Sequence, residues 1–208
     1  MLLDIAGAFP HVTPLDYLKI LETRGTAPYM LRYLAATMTS RTQQVRWHGV
    51  LSDTLSLEGG ATQGTMVVGC SSWVVIFSVL LQRIRDENIQ QLCDVAIADD
   101  LTLVAYADNP EDALLKMQKA LKVITEWCEE TGFGVADKTK AMWFYSGTSP
   151  RSGMADRSVD VGGKTFKIIW DPKESCRLLG FLLDCRLSAV QHVNELKEVI
   201  RRGKAIVI

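Results

Sequence analysis

No two cysteines in this 208-residue chain stand at CxxC spacing. The five present (Cys70, Cys93, Cys128, Cys176 and Cys185) are scattered and odd in number. That excludes the usual zinc-finger arrangements and reads as reduced thiols in an intracellular protein. No secretory leader is expected either, because Asp4 interrupts the N-terminal segment and no basic stretch precedes it. There is no internal repeat and no linker of disordered composition. Strong net charge is also absent: 23 basic against 24 acidic residues leave −1, so bulk charge does not announce a polyanionic partner. Residues 59–82 lack charge altogether, and Thr65 to Leu81 is mostly apolar. A membrane-spanning helix takes roughly 20 predominantly apolar residues. Gly69, Ser71, Ser72 and Ser78 dilute this run, which favours a helix buried under a sheet and no membrane contact over a small membrane protein.

What is present is an ordinary globular composition, 48% hydrophobic and 23% charged, with charge unevenly distributed. Residues 1–50 sum to +2, residues 51–112 to −8 and residues 113–208 to +5. An acidic middle between basic ends suits a cation site beside a surface for an anionic polymer.

The pattern of elements is mixed. Met1 to Ala6 reads as a short buried strand. Thr13-Pro14 caps and starts a helix that Gly25 stops, and Pro28 starts a second running to about Met38. Gln43 to Leu57 reads as a strand pair broken at His48-Gly49 and Ser52-Asp53. A glycine-bearing loop, Glu58 to Gly64, leads into the uncharged helix. Gln91 to Tyr106 is a hairpin, and Asn109-Pro110 opens a helix whose Leu114, Met117, Leu121, Ile124 and Cys128 follow spacings of 3, 4, 3 and 4 before Gly132. Ala141 to Tyr145 reads as a strand, Gly147 to Arg157 as a polar loop, Val159 to Ile169 as a hairpin turning at Gly162-Gly163, and Arg177 to Leu183 as a further strand. Ser188 caps a final basic helix. Hairpins mixed with long helices predict an α+β fold, an antiparallel sheet with helices on one face.

The chemistry-bearing feature is Asp99-Asp100 at the tip of the apolar hairpin Val95 to Val104. Adjacent carboxylates repel each other, whereas oxygen ligands presented together suit a hard divalent cation. Asp4, at the end of an apolar strand, supplies a third. Three carboxylates on neighbouring strands can bind two Mg2+ ions, the arrangement that clamps the attacking and leaving oxygens of a phosphoryl displacement. Without a metal they would raise one another's pKa. The loop Gly59 to Thr65 reads as a close backbone approach to a ligand, with Gln63 offering both a donor and an acceptor.

The order of these pieces carries a resemblance. Asp4-Ile5-Ala6-Gly7-Ala8-Phe9, Gln63-Gly64-Thr65, Ala98-Asp99-Asp100, Asp137-Lys138-Thr139-Lys140 and Leu178-Leu179-Gly180-Phe181-Leu182-Leu183-Asp184 together resemble the palm of a reverse transcriptase. The similarity is closest to the non-LTR (LINE-type) retrotransposon class and covers nearly the whole chain. It implies a polymerase palm with a ferredoxin-like core over residues 1–186 and the start of a thumb over 187–208. The implied activity is DNA synthesis on an RNA template by two-metal nucleotidyl transfer, with RNA template, DNA primer and dNTPs as partners and Mg2+ (or Mn2+) as cofactor.

By the same resemblance, Asp4 and Asp99 are the principal metal ligands and Asp100 completes the cluster. Phe9 is the steric gate that favours deoxynucleotides, Gln63 and Gly64 border the nucleotide and template base, and Lys138 stands near the triphosphate. Leu179 and Gly180 belong to the primer grip, and Lys197, Arg201, Arg202 and Lys204 reach phosphates. The chain departs from the family at Pro10, Thr62, Gly69-Cys70, Ile97 and Val135, none of them an implied metal ligand. Ala98, where a glycine would suit an RNA-directed RNA polymerase, and the bulky Phe9 both favour DNA synthesis. Met1 lies three residues before Asp4, so the fingers are expected to be missing and to belong to a longer polyprotein, with activity weak or lost. The alternative expectation is a catalytically inactive nucleic-acid-binding remnant of the same fold.

Overall fold

The computed structural model describes residues 1–208 except 40, 58, 61–68, 146–156 and 207–208, with backbone alone for 203–206. Its elements are mixed and its sheets are mostly antiparallel, as the α+β reading expects. Strand β1 (Leu2–Ala6) is followed by helices α1 (Pro14–Thr23) and α2 (Pro28–Met38). A ribbon then runs out and back through β2 (Arg41–Gln43), β3 (Arg46–Trp47), β4 (Val50–Leu51) and β5 (Leu55–Leu57), broken where the sequence breaks it. Helix α3 (Ser71–Asp86) leads to the hairpin β6 (Leu92–Ile97) and β7 (Asp100–Ala105). Helix α4 (Pro110–Thr131), β8 (Gly134–Val135) and β9 (Ala141–Met142) follow. The chain closes with β10 (Ser158–Val161), β11 (Lys164–Ile169), β12 (Ser175–Leu178), β13 (Phe181–Asp184) and α5 (Val190–Ile206).

Local chemistry sets the helix ends. Thr13 accepts a hydrogen bond from the Asp16 N–H at 3.1 Å and Pro14 takes the first turn, where its missing N–H costs nothing. Asn109 accepts from the Asp112 N–H at 2.9 Å ahead of Pro110, and Gly132, at φ +75°, terminates α4 in the left-handed region. Helix α3 does not end with the uncharged run but continues through Arg83 and Arg85. Arg85 reaches Asp94 on β6 at 2.7 Å, so charge on the last turn of α3 fastens the helix to the sheet.

Four strands form the central sheet in the order β6-β7-β1-β8, each neighbouring pair antiparallel. Leu3, Ile5, Leu101 and Leu103 point to one face and are buried against Trp73, Ile76, Phe77 and Leu80 of α3 and Leu121, Ile124 and Trp127 of α4. The opposite face carries cross-strand rows set by register: Ile97, Asp100 and Asp4 in one, Val95, Thr102 and Leu2 in the next. There Val95 is 53% and Ile97 48% exposed. Helices therefore cover one face, as expected, and the carboxylates lie on the other. Among the described residues no helix is long and apolar enough to cross a membrane.

Two strand expectations need correction. The single strand expected over Arg177 to Leu183 is the hairpin β12-β13, turning at Leu179 (φ +47°) and Gly180 (φ +90°). Both turn residues are left-handed, as a tight two-residue hairpin requires. The strand expected over Ala141 to Tyr145 stops at Met142, after pairing in parallel with β11. The polar loop expected over Gly147 to Arg157 lies, apart from Arg157, outside the described residues.

The one-sided sheet has a measurable consequence. Leu101→Ala, at a position with no exposed surface, is expected to cost about 2–5 kcal/mol in urea unfolding, whereas Ile97→Ala on the open face should cost under about 1 kcal/mol.

Candidate metal and nucleotide site

The geometry begins with register. Asp4 and Asp100 are direct partners across β1 and β7. Directly opposed side chains on one sheet face hold their Cβ atoms roughly 4.5–5.5 Å apart, and like charges so placed destabilise the pair. Asp99 occupies the two-residue turn between Ile97 and Asp100. Burial, then the charges of Asp99 and Asp4, push the Asp100 carboxyl above the usual aspartate range, while Lys138 pulls it partly back.

The backbone around Asp4 is held on its outer edge. Its carbonyl accepts from the Ala136 N–H at 2.9 Å, and its own N–H donates to Thr139 Oγ1 at 3.2 Å. Leu2 and Lys140 exchange two further backbone bonds, 2.7 and 2.8 Å long. The segment after β8 thus wraps β1 and delivers Lys138 to the site. Lys138 Nζ lies 2.8 Å from Asp4 Oδ1. That oxygen is buried and accepts no hydrogen bond of good geometry, so the ammonium meets it by charge rather than along a donor direction. A buried carboxylate oxygen short of donors, facing a second carboxylate, fits a hard cation in chemistry and in backbone register. The side chains themselves are not gathered as a finished ligand set: among the described residues no three His, Cys, Asp or Glu side chains stand together closely enough to hold a metal ion.

The hairpin tip is fixed from below by a residue that sequence reasoning did not single out. Trp73, at the start of α3, donates its indole N–H to the Ala98 carbonyl at 2.7 Å. Its ring stacks on Phe77 with centroids 4.9 Å apart and meets Phe133 edge-on at 5.5 Å, and Phe133 stacks on Trp127 at 5.0 Å. Ala98 itself sits at φ +56°, a conformation in which a Cβ costs roughly 1–2 kcal/mol. The signal available in the sequence was a tryptophan at the mouth of the uncharged apolar run. Thr139 was visible too, within a motif from which the lysine alone was selected.

The remaining expected site residues are distributed around this centre. Phe9 follows β1, is half-buried and lies 6.4 Å from the Trp73 ring. Gly60 packs against its loop: a Cβ there would meet the Pro10 carbonyl oxygen at 3.1 Å, and its N–H donates to the Val12 carbonyl at 3.0 Å. The strap that precedes Gln63 and Gly64 is thereby placed beside Phe9, while Gln63 and Gly64 themselves lie outside the described residues. Leu179 and Gly180 turn the β12-β13 hairpin, and Leu179 is 55% exposed. The stems of that hairpin reach the sheet, because Leu178 and Leu183 line, with Leu2 and Thr102, an apolar cavity of about 430 Å³. On α5, Arg201 and Arg202 both pair with Glu198, so these two cations share one carboxylate. The side chain of Lys204 lies outside the described residues.

The raised Asp100 pKa sets a pH dependence. A carboxyl whose folded pKa lies above its unfolded value contributes stability that is full at acid pH and lost as pH rises through the folded value. Asp100→Asn is therefore expected to stabilise the fold at neutral pH and to lose that advantage below the ordinary aspartate range, read as the difference in Tm between variant and parent across pH. Ala98→Gly should stabilise by about 1 kcal/mol and Trp73→Phe should destabilise by about 1–3 kcal/mol, both by urea unfolding. No family model and no curated protein matches this chain.

Proposed function

We propose that the chain is the palm of an RNA-directed DNA polymerase of the non-LTR retrotransposon kind. The observation that carries this reading is the Asp4–Asp100 pairing on the open sheet face, with Asp99 at the adjoining turn. Residues far apart in the chain, and brought to notice by motif order, are direct neighbours in space. The strand order supports the same reading: β1, β6, β7 and β8, taken as first to fourth, lie in the order 4-1-3-2, which with α3 and α4 between them makes a split β-α-β-β-α-β unit. Fold alone does not confer chemistry, so the argument rests on the carboxylates.

In this reading Asp4 and Asp99 are the chief ligands of two divalent ions and Asp100 completes the acidic cluster. Mg2+ or Mn2+ held there supplies charge stabilisation to the oxygens of an in-line phosphoryl displacement. Phe9 lies under the sugar of an incoming dNTP. Gln63 and Gly64 border the base. Lys138 offers its ammonium to the triphosphate. The open face accommodates the primer–template duplex, with Leu179 and Gly180 against the primer. Residues 1–186 then form the palm, and α5 begins the thumb.

A second reading, a nucleic-acid-binding module without catalysis, is favoured by one observation: the three carboxylates are not drawn together as a ligand set. Primer extension separates the two. In Mn2+, the purified chain should extend a DNA primer on an RNA template at a low rate, and Asp99→Asn or Asp4→Asn should reduce that rate by about 100-fold or more, the scale of losing one preorganised electrostatic contact to the transition state. Primer–template binding with no extension, equal in parent and variants, would favour the binding module.

A further inference from the structure

Lys138 makes the most specific polar contact at the site, and the position it takes on Asp4 is the one a cation would need. Asp4 is 8% exposed and Lys138 carries its ammonium from an exposed turn to within 2.8 Å of the buried Oδ1. Two features fix that approach. Thr139, itself buried, anchors the turn to the Asp4 backbone, and the Ala136 N–H holds the Asp4 carbonyl. The lysine therefore reaches the carboxylate from a segment stitched to the same strand. Its close contact with the Asp4 carboxylate, then the charges of Asp4, Asp100 and Asp99, hold its pKa above the usual lysine range. Lys164, on β11, pairs with Asp137, the residue before Lys138.

We propose that Lys138 is the resident counter-ion of Asp4, occupying the place a divalent cation takes, so that cation binding and the Lys138–Asp4 contact exclude each other. Two functions follow from one side chain. Before a cation binds, the ammonium offsets the repulsion between Asp4 and Asp100, which cross-strand opposition would otherwise leave uncompensated. When a dication arrives, its charge displaces the ammonium, and the long lysine stem swings its donor group out toward whatever anion accompanies the metal. Lys138 is thus a positioning residue coupled to cation occupancy. The exchange rests on the metal reading above; the counter-ion role does not.

The test separates these two parts. In EDTA, Lys138→Met should lower Tm by about 2–4 °C in the parent but leave it unchanged in an Asp4→Asn background, and Lys138→Arg should keep the parent value. An equal loss in both backgrounds would mean that the lysine stem acts by packing, and would overturn the counter-ion role. Calorimetric titration with Mn2+ alone should then show Lys138→Met binding several-fold more tightly than the parent, with Asp4→Asn abolishing binding. Unchanged or weaker binding by Lys138→Met, with Asp4→Asn still abolishing it, would overturn the exchange while the metal reading stands. Binding indifferent to Asp4→Asn would overturn the metal reading and the exchange together, and the EDTA comparison would still decide the counter-ion role.

Discussion

Opposing two aspartates across adjacent strands costs free energy, and the fold is arranged so that they cannot move apart. Register between β1 and β7 is specified by the buried face: a slip of one residue would turn one strand's pair, Leu3 and Ile5 or Leu101 and Leu103, outward. The aromatic group of Trp73, Phe77, Trp127 and Phe133 then fixes the helices against that face, and the Trp73 indole fixes the hairpin turn itself. On the outer edge, the segment from Ala136 to Lys140 bonds to both Asp4 and Leu2. Each of these contacts opposes the separation that the carboxylates would favour. Such a cost, held on rigid elements, is the one that the proposed cation would relieve.

Much of this was legible in the sequence because the signals were local. Thr13-Pro14, Asn109-Pro110 and Gly132 mark helix ends by capping chemistry that acts within three or four residues, and the period of α4 is carried by its own side chains. The Asp99-Asp100 hairpin was legible for the same reason, since a two-residue turn between alternating apolar strands needs nothing from elsewhere. What was not legible depends on contacts between distant segments. That Asp4 faces Asp100 rather than Asp99 follows from strand register. That Trp73 holds the turn follows from how α3 crosses beneath the sheet, and that Lys138 lands on Asp4 follows from the wrap after β8. The uncharged run located α3, whereas its continuation to Arg85, the residue that ties the helix to Asp94, depends on the partner strand. The strand expected over Arg177 to Leu183 became a hairpin because Leu179 adopts a positive φ that its side chain does not advertise.

The open face gathers the features a template-copying enzyme would need without forcing them into one cavity. The carboxylates stand at one end of the sheet. The apolar space under the β12-β13 hairpin begins two residues along the same strands, at Leu2 and Thr102. Phe9 lies by Trp73 of α3, and the Gly59-Gly60 strap packs on the loop that carries it. Beyond them the β2–β5 ribbon projects from the core with Trp47 73% and Val50 71% exposed, adding no residue to the buried cluster. A polymer lying along this face would meet charge at one end and apolar surface at the other.

The central claim is that Asp4 and Asp99, with Asp100 completing the cluster, offer divalent cations their seat. The most direct measurement is a crystal of the chain soaked in Mn2+, with anomalous scattering recorded at the manganese edge. The account predicts anomalous density at the Asp4 and Asp99 carboxylates, beside Asp100, and the Lys138 ammonium withdrawn from Asp4 Oδ1. Manganese bound elsewhere, with Lys138 still seated on Asp4, would contradict it.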